Sequence, residues 1–166
     1  MYNSSGTADN YVIILNDAKY LIFDSLTIEN TGTTYSCVVE MLNGCSYNKF
    51  SNCFILNETN VLSLSLLNAV INVSSNNKST KNNIFENNKI TGGSYGISIA
   101  GLFADSNRVE GNIFYKQYFI QALFNQNKNL SVINNVFSMN STYFGLTINL
   151  YFEYCNELIV EKNRNL

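Results

Sequence analysis

The stretch Lys81–Gly101, KNNIFENNKITGGSYGISIAG, is the unit that the rest of the chain repeats. It predicts a short strand around Ile84 and Phe85, then a turn at Asn87 and Asn88. A second strand at Ile90, a glycine corner at Gly92–Gly93 and a third strand over Tyr95–Ala100 complete it. Its centre, Phe85-Glu86-Asn87-Asn88-Lys89-Ile90, matches Phe50–Ile55, Val109–Phe114 and Val132–Phe137 position by position. Phe23–Ile28 fits with Leu in the Asn slot, and Val160-Glu161-Lys162-Asn163 begins a sixth copy. The fourth position therefore reads Leu26, Cys53, Asn88, Asn112, Asn135, Asn163, at spacings of 27, 35, 24, 23 and 28 residues. A self-similar period in this range marks a solenoid, because each repeat is too thin to bury its own inner face and does so only against its neighbours.

Composition narrows the class. Charged residues make up 13% of the 166, proline and tryptophan are absent, and Asn, Ser, Thr and Tyr fill the polar positions. That mixture suits short strands separated by many tight turns, and no stretch carries a helical stripe of apolar residues. A net charge of −2 with no Lys/Arg cluster excludes a nucleic-acid footprint. No apolar run approaches the roughly 18 residues of a membrane span. The opening MYNSSGTADN lacks the basic end and apolar run of a signal peptide.

Outward from the central repeat, residues 1–10 are polar and read as a disordered end or cut junction. Residues 11–166 read as one parallel β-helix, a fragment of a longer solenoid. Tyr11–Leu15, Tyr20–Phe23 and Leu26–Ile28 supply the first rung. Alternation in Tyr35–Met41 places Glu40 outward and Cys37, Val39 and Met41 inward. The 35-residue spacing leaves two runs, Val61–Leu67 and Ala69–Val73, either of which could supply the long strand of the second rung, the other being an insertion. Further on, Ile97 and Ile99 align with Ala122 and Phe124, and with Leu146 and Ile148. Tyr95, Ile120 and Phe144 then share one slot, as do Gly96, Gln121 and Gly145.

Two asparagine columns stand out: Asn88, Asn112, Asn135 and Asn163 in one, Asn48, Asn83 and Asn107 in the other. A stacked Asn amide donates to one neighbour and accepts from the next, and Asn tolerates the left-handed backbone of a tight bend. Both columns are expected to be structural ladders. Cys45 and Cys155 fall in a small-residue column with Ala18, Thr80, Ala104 and Asn127. Four rungs at ~4.8 Å each put these two thiols too far apart for a disulfide. The four cysteines, Cys37, Cys45, Cys53 and Cys155, are therefore expected to be free and mostly buried, with no histidine present to build a zinc site.

The residues Val12–Gly32, VIILNDAKYLIFDSLTIENTG, with Asn82–Gly96, NNIFENNKITGGSYG, and Val109–Phe114 make the chain resemble right-handed parallel β-helix repeat proteins of the pectin-lyase-like architecture. Among these it is most similar to large secreted or cell-surface proteins of Bacteroidetes-type bacteria. The resemblance implies an all-β, right-handed parallel β-helix of about six rungs in an extracellular setting, serving as a structural or adhesive body without catalysis of its own. The alternative it implies is a carbohydrate-active fragment, lyase-like or glycoside-hydrolase-like, or a carbohydrate-binding one. The partners expected are polysaccharide or host and cell-surface glycan, and neighbouring rungs of the parent protein.

Chemistry on this fold uses clustered acids. The four aspartates, Asp9, Asp17, Asp24 and Asp105, are scattered. Only Glu86 and Glu110 share an outward slot one rung apart, close to the ~5 Å carboxylate separation of a retaining glycosidase. They are the weak catalytic candidates, against the plainer reading of a solvated outer face. No phosphate loop, nucleophile elbow or calcium loop appears, and neither a cofactor nor a metal is expected. A cluster of tyrosines at 115, 118, 143, 151 and 154 suggests either a sugar-stacking row or cross-rung packing.

Overall fold

A computed structural model describes residues 2, 6, 10–32, 35–57, 62–75, 77–138 and 147–166. Most of 1–10, with Asp9, and the residues Val61, Tyr143, Phe144, Gly145 and Leu146 lie outside this set. Within it the chain runs six times around three sheets. The first pass is β1 (Tyr11–Asn16), β2 (Ile22–Asp24) and β3 (Thr27–Glu29). The second is β4 (Cys37–Leu42), β5 (Lys49–Ser51) and β6 (Phe54–Leu56). The third is β7 (Ala69–Ser75), β8 (Ile84–Glu86) and β9 (Lys89–Thr91). The fourth is β10 (Tyr95–Asp105), β11 (Arg108–Glu110) and β12 (Ile113–Tyr115). The fifth is β13 (Ile120–Lys128), β14 (Ser131–Ile133) and β15 (Val136–Ser138). The last is β16 (Ile148–Glu153), β17 (Ile159–Glu161) and β18 (Arg164–Asn165). Every third strand pairs in parallel, giving three six-stranded sheets. The chain is a parallel β-solenoid, and among the described residues its helical content is a 3-10 turn at Leu66–Asn68.

The pairings reproduce the repeat. Phe23, Phe50, Phe85, Val109, Val132 and Val160 form one column, and Ile28, Ile55, Ile90, Phe114 and Phe137 another. Apart from the exposed Val160, both belong to a single core with Met41, Val73, Ile99 and Phe124 of the first sheet. Aromatic rings stack face to face along the columns: Phe23 on Phe50 at 4.5 Å and Phe114 on Phe137 at 5.0 Å between centroids. The two columns exchange size part-way. Passes one to three pair Phe with Ile, whereas passes four and five pair Val with Phe, so each rung fills a similar volume. Gly96 belongs to this exchange: a Cβ there would lie 2.7 Å from Phe114 Cδ1 and 2.4 Å from the Gln121 carbonyl oxygen.

Both asparagine columns are buried ladders. In the first, Asn112 Oδ1 accepts from Asn88 N at 2.9 Å and Asn88 Nδ2 at 3.0 Å. The Asn112 amide in turn donates to Asn135 Oδ1 at 3.1 Å and to the Phe85 carbonyl at 2.8 Å. Asn163 repeats the pattern on Asn135, and Cys53 N joins at the other end by donating to Asn88 Oδ1. In the second, Asn48 bonds Asn83 and Asn83 bonds Asn107 in the same way. Leu130 and Leu158 then replace asparagine in that slot. The left-handed backbone falls one residue before each slot, not on the ladder asparagines. Ser25, Asn52, Asn87, Gly111, Asn134 and Lys162 precede one column, and Tyr20, Tyr47, Asn82, Ser106, Asn129 and Glu157 the other, all with positive φ. That residue turns the corner, and the next one points its amide inward.

Other expectations need correcting. The first-sheet strand of the third pass is Ala69–Ser75, with Leu62–Ser65 outside any strand. In the last pass Ala122 and Phe124 pair with Leu150 and Phe152, and Ile120 with Ile148, so the register lies four residues beyond Leu146 and Phe144. Cys37 is buried, but its Sγ meets Glu40 Oε2 at 3.3 Å and so shares the outer face with Glu40. The in-out alternation breaks there, since Val38 and Val39 both join the core. All four cysteines are free, Cys155 being the one that is only partly buried.

Candidate functional site

Glu86 and Glu110 stand opposite each other on β8 and β11, as their shared slot requires. The structure fills the space between them. Arg108, at the start of β11, reaches back with Nη2 to Glu86 Oε2 at 2.9 Å, and its Nη1 lies 3.3 Å from Glu110 Oε2. Lys49, one rung earlier, sits 2.5 Å from the other Glu86 oxygen. Both oxygens of Glu86 are thus held by cations from two neighbouring rungs. The Arg108 guanidinium thus occupies the space between the two carboxylates, where a glycosidic oxygen would have to sit. Asp24 lies two rungs before Glu86 in the same column. The hydroxyl of Ser51, then the Asn52 amide and the Ser25 hydroxyl, hold its carboxyl below the ordinary range. Asp17 is held low in the same sense, chiefly by its hydrogen bond to Lys78. Among the described residues no three His, Cys, Asp or Glu side chains come together as a metal site, and no helix is long and apolar enough to cross a membrane.

The pairings place two of the described tyrosines of this set in different columns. Tyr115 stacks between Thr91 and Ser138, and Tyr151 follows Leu123 in another column. Tyr143 lies outside the described residues. Tyr20 and Tyr47 do stack, with rings 4.9 Å apart.

Two features have no counterpart in the expected sites. The first is Glu40 on the outer face of β4. Burial pushes its carboxyl up, against the hydrogen bonds it accepts from Asn72 and Cys37. Asn72 Nδ2 reaches both carboxylate oxygens, at 3.0 and 3.2 Å, while Asn72 Oδ1 is buried without a partner. Burial, then the Glu40 charge, raises the Cys37 thiol well above its usual range, which removes it as a nucleophile. The second is a groove of about 630 Å³ where β10 and β13 turn toward the second sheet. From Ala100 to Ala104 β10 advances four residues, while β13 advances two, from Asn125 to Asn127. The surplus pushes Leu102 and Phe103 out of the surface, 56% and 58% exposed. Tyr154, 76% exposed, forms another part of the lining.

No family model, no curated protein and no solved structure matches this chain. Function is therefore argued from the side chains themselves.

Proposed function

We propose that the chain is a structural or adhesive β-helix module of a secreted or cell-surface bacterial protein, with no catalysis of its own. The observation that carries this reading is the Glu86–Arg108–Glu110 cluster. The acid pair that shares an outward slot is neutralised by neighbouring cations, and a rod whose acids are tied into its own surface is built to persist. The buried ladders support the same reading, because a fully paired polar column fixes the register of every rung. The pectin-lyase-like resemblance and the extracellular setting rest on the sequence stretches quoted above.

The test is product release from a panel of plant and microbial polysaccharides, with and without calcium, for the wild type and for Glu86→Gln/Glu110→Gln. The expected result is no turnover by either protein, and a melting temperature little changed by the double substitution, since exposed ion pairs contribute about 0–1 kcal/mol. Turnover by the wild type that vanishes in the variant would identify these carboxylates as a catalytic pair. Turnover that survives it would place a catalytic site elsewhere. Either result overturns the reading.

A further inference from the structure

The described carboxylates differ in what holds them. Asp17, Glu86, Glu110 and Glu157 pair with lysine or arginine. Glu40 has no cationic partner among the described residues, and its oxygens accept from the Asn72 amide and the Cys37 thiol instead. It is half-buried, where a charge without a counter-ion is costly. It lines a pocket of about 270 Å³ on the outer face of the first sheet. The lining also includes Leu42 from β4, with Leu66 and Leu67 from the 3-10 turn. That turn belongs to the extra length of the third pass, and hydrogen bonds pin it. Tyr95 Oη donates to the Leu64 carbonyl at 3.1 Å, Ser36 N to the Leu67 carbonyl at 3.0 Å, and Leu67 N to Ser65 Oγ at 3.2 Å. The extra residues thus build an apolar wall beside an unpaired acid. Holding that acid has a cost: Asn72 Nδ2 sits astride both Glu40 oxygens, at 3.0 and 3.2 Å, while Asn72 Oδ1 is left buried and unpartnered. Arrangements that subtract from stability in this way gather where function needs them.

We propose that this pocket binds a primary alkylammonium group, the chemistry shared by a lysine side chain and a free aliphatic amine. The ammonium supplies the counter-ion that Glu40 lacks, and the leucines take its methylene stem. Geometry selects this cation over others. A guanidinium docks by two parallel N–H bonds on the edge of a carboxylate that spans both oxygens. Asn72 Nδ2 already occupies that edge, and Cys37 Sγ takes a further place on Oε2. A lone pair of Oε1 remains for a single N–H donor on a compact charge. Calcium or magnesium takes about six oxygen ligands, and zinc needs more nitrogen or sulfur than one thiol and no histidine provide. Among the described residues no three metal-ligating side chains come together. The pocket is slightly smaller than the ~300 Å³ at which ligand cavities begin, which suits one unbranched chain. The site stands whether or not the chain is an adhesive module, and the turnover assay above and the binding assay below fail independently of each other.

The probes are pentan-1-amine, 1,5-diaminopentane and Nα-acetyl-lysinamide, titrated into the intact chain by calorimetry and by NMR of the Asn72 side-chain amide. Pentan-1-ol and Nα-acetyl-argininamide are the controls. At least one amine should bind saturably, with a Kd of about 1 mM or tighter, and move the Asn72 amide signals. The alcohol and the arginine derivative should bind at least about tenfold more weakly than that amine. Whichever amine binds most tightly identifies the source, a free amine or a lysine side chain, and supports the site. Glu40→Gln keeps the shape of the side chain and should weaken amine binding about tenfold or more without lowering the melting temperature. Leu66→Ala, at a half-exposed position, should weaken pentan-1-amine more than methylamine. Affinity should also fall as pH drops through the raised value of the Glu40 carboxyl, because the amine stays protonated while the acid loses its charge. The other titratable groups facing Glu40 are Cys37 on β4, which stays protonated there, and Tyr11 on β1; β7 and the 3-10 turn bring none. Three outcomes overturn the proposal: no saturable binding by any of the amines, amine binding that Glu40→Gln retains in full, or binding of pentan-1-ol or the arginine derivative that equals that of the amines.

Discussion

At the scale of single residues, the ladder asparagines carry more of the fold than any charged group. Asn112 accepts two bonds from Asn88 and donates to Phe85 and Asn135. Asn112→Leu strands the two Asn88 donors and leaves the Phe85 carbonyl short of a partner. It should destabilise by about 1–3 kcal/mol, read as a lower midpoint of urea unfolding; a wild-type midpoint would mean that the column is not a ladder. Glu40 is the opposite case, a residue that costs stability. Its carboxyl titrates above the ordinary 4.5 in the folded state. The folded protein therefore holds that proton more tightly than the unfolded chain does. Stability from this group is full below the ordinary value and is lost as pH rises through the raised one. Glu40→Gln removes the charge and supplies an amide donor for the unpartnered Asn72 Oδ1. It should melt higher than wild type at neutral pH, with the gain shrinking as pH falls toward 4.5. An equal gain at all pH values would show that burial of the charge is not the cause. The ladder slots were legible because they recur in register. Their backbone role was not, since Asn82–Asn83, Asn87–Asn88 and Asn134–Asn135 place two asparagines where one turns the corner and the other bonds. Gly111–Asn112 and Ser106–Asn107 separate the two roles.

Between elements, the packing question is how adjacent columns share volume. The second and third sheets exchange Phe/Ile for Val/Phe between the third and fourth passes, and Gly96 makes room for the Phe114 ring. Val109→Phe alone puts two phenylalanines into a rung shaped for one. It should cost about 1–3 kcal/mol by overpacking. Adding Phe114→Ile restores the composition of the third pass and should recover part of that loss, a coupling visible in a double-mutant cycle of denaturant midpoints. Strictly additive effects would mean that the two columns do not share space. The β10 bulge was also within reach of the sequence. Ile97 to Ala122 is 25 residues and Asn107 to Leu130 is 23, so two residues are surplus between Ile97 and Asn107. That their surplus becomes a groove depends on Tyr154 approaching from another pass, and no local signal encodes that. Glu40 was hidden for the same reason: alternation marks it as outward, and its burial is a matter of tertiary packing.

Across the whole molecule, stability is a sum of rung-on-rung contacts, so the account stands on register. The last pass shows how register can be misread. Tyr143–Leu146 and Ile148–Phe152 both alternate, and the correct choice keeps Phe152 eleven residues before Asn163, as Phe124 is before Asn135. Far-UV circular dichroism of the chain should accordingly show strand with almost no helix. The more direct measurement is a set of cross-rung nuclear Overhauser contacts, with the side-chain amides of Asn88, Asn112, Asn135 and Asn163 assigned. Strands ~4.8 Å apart bring each amide within contact range of the next rung's asparagine only. The expected result is an unbroken chain of contacts, Asn88 to Asn112, Asn112 to Asn135 and Asn135 to Asn163, with none skipping a rung. Contacts that skip a member, or asparagine amides that see only their sequence neighbours, would contradict the stacked solenoid.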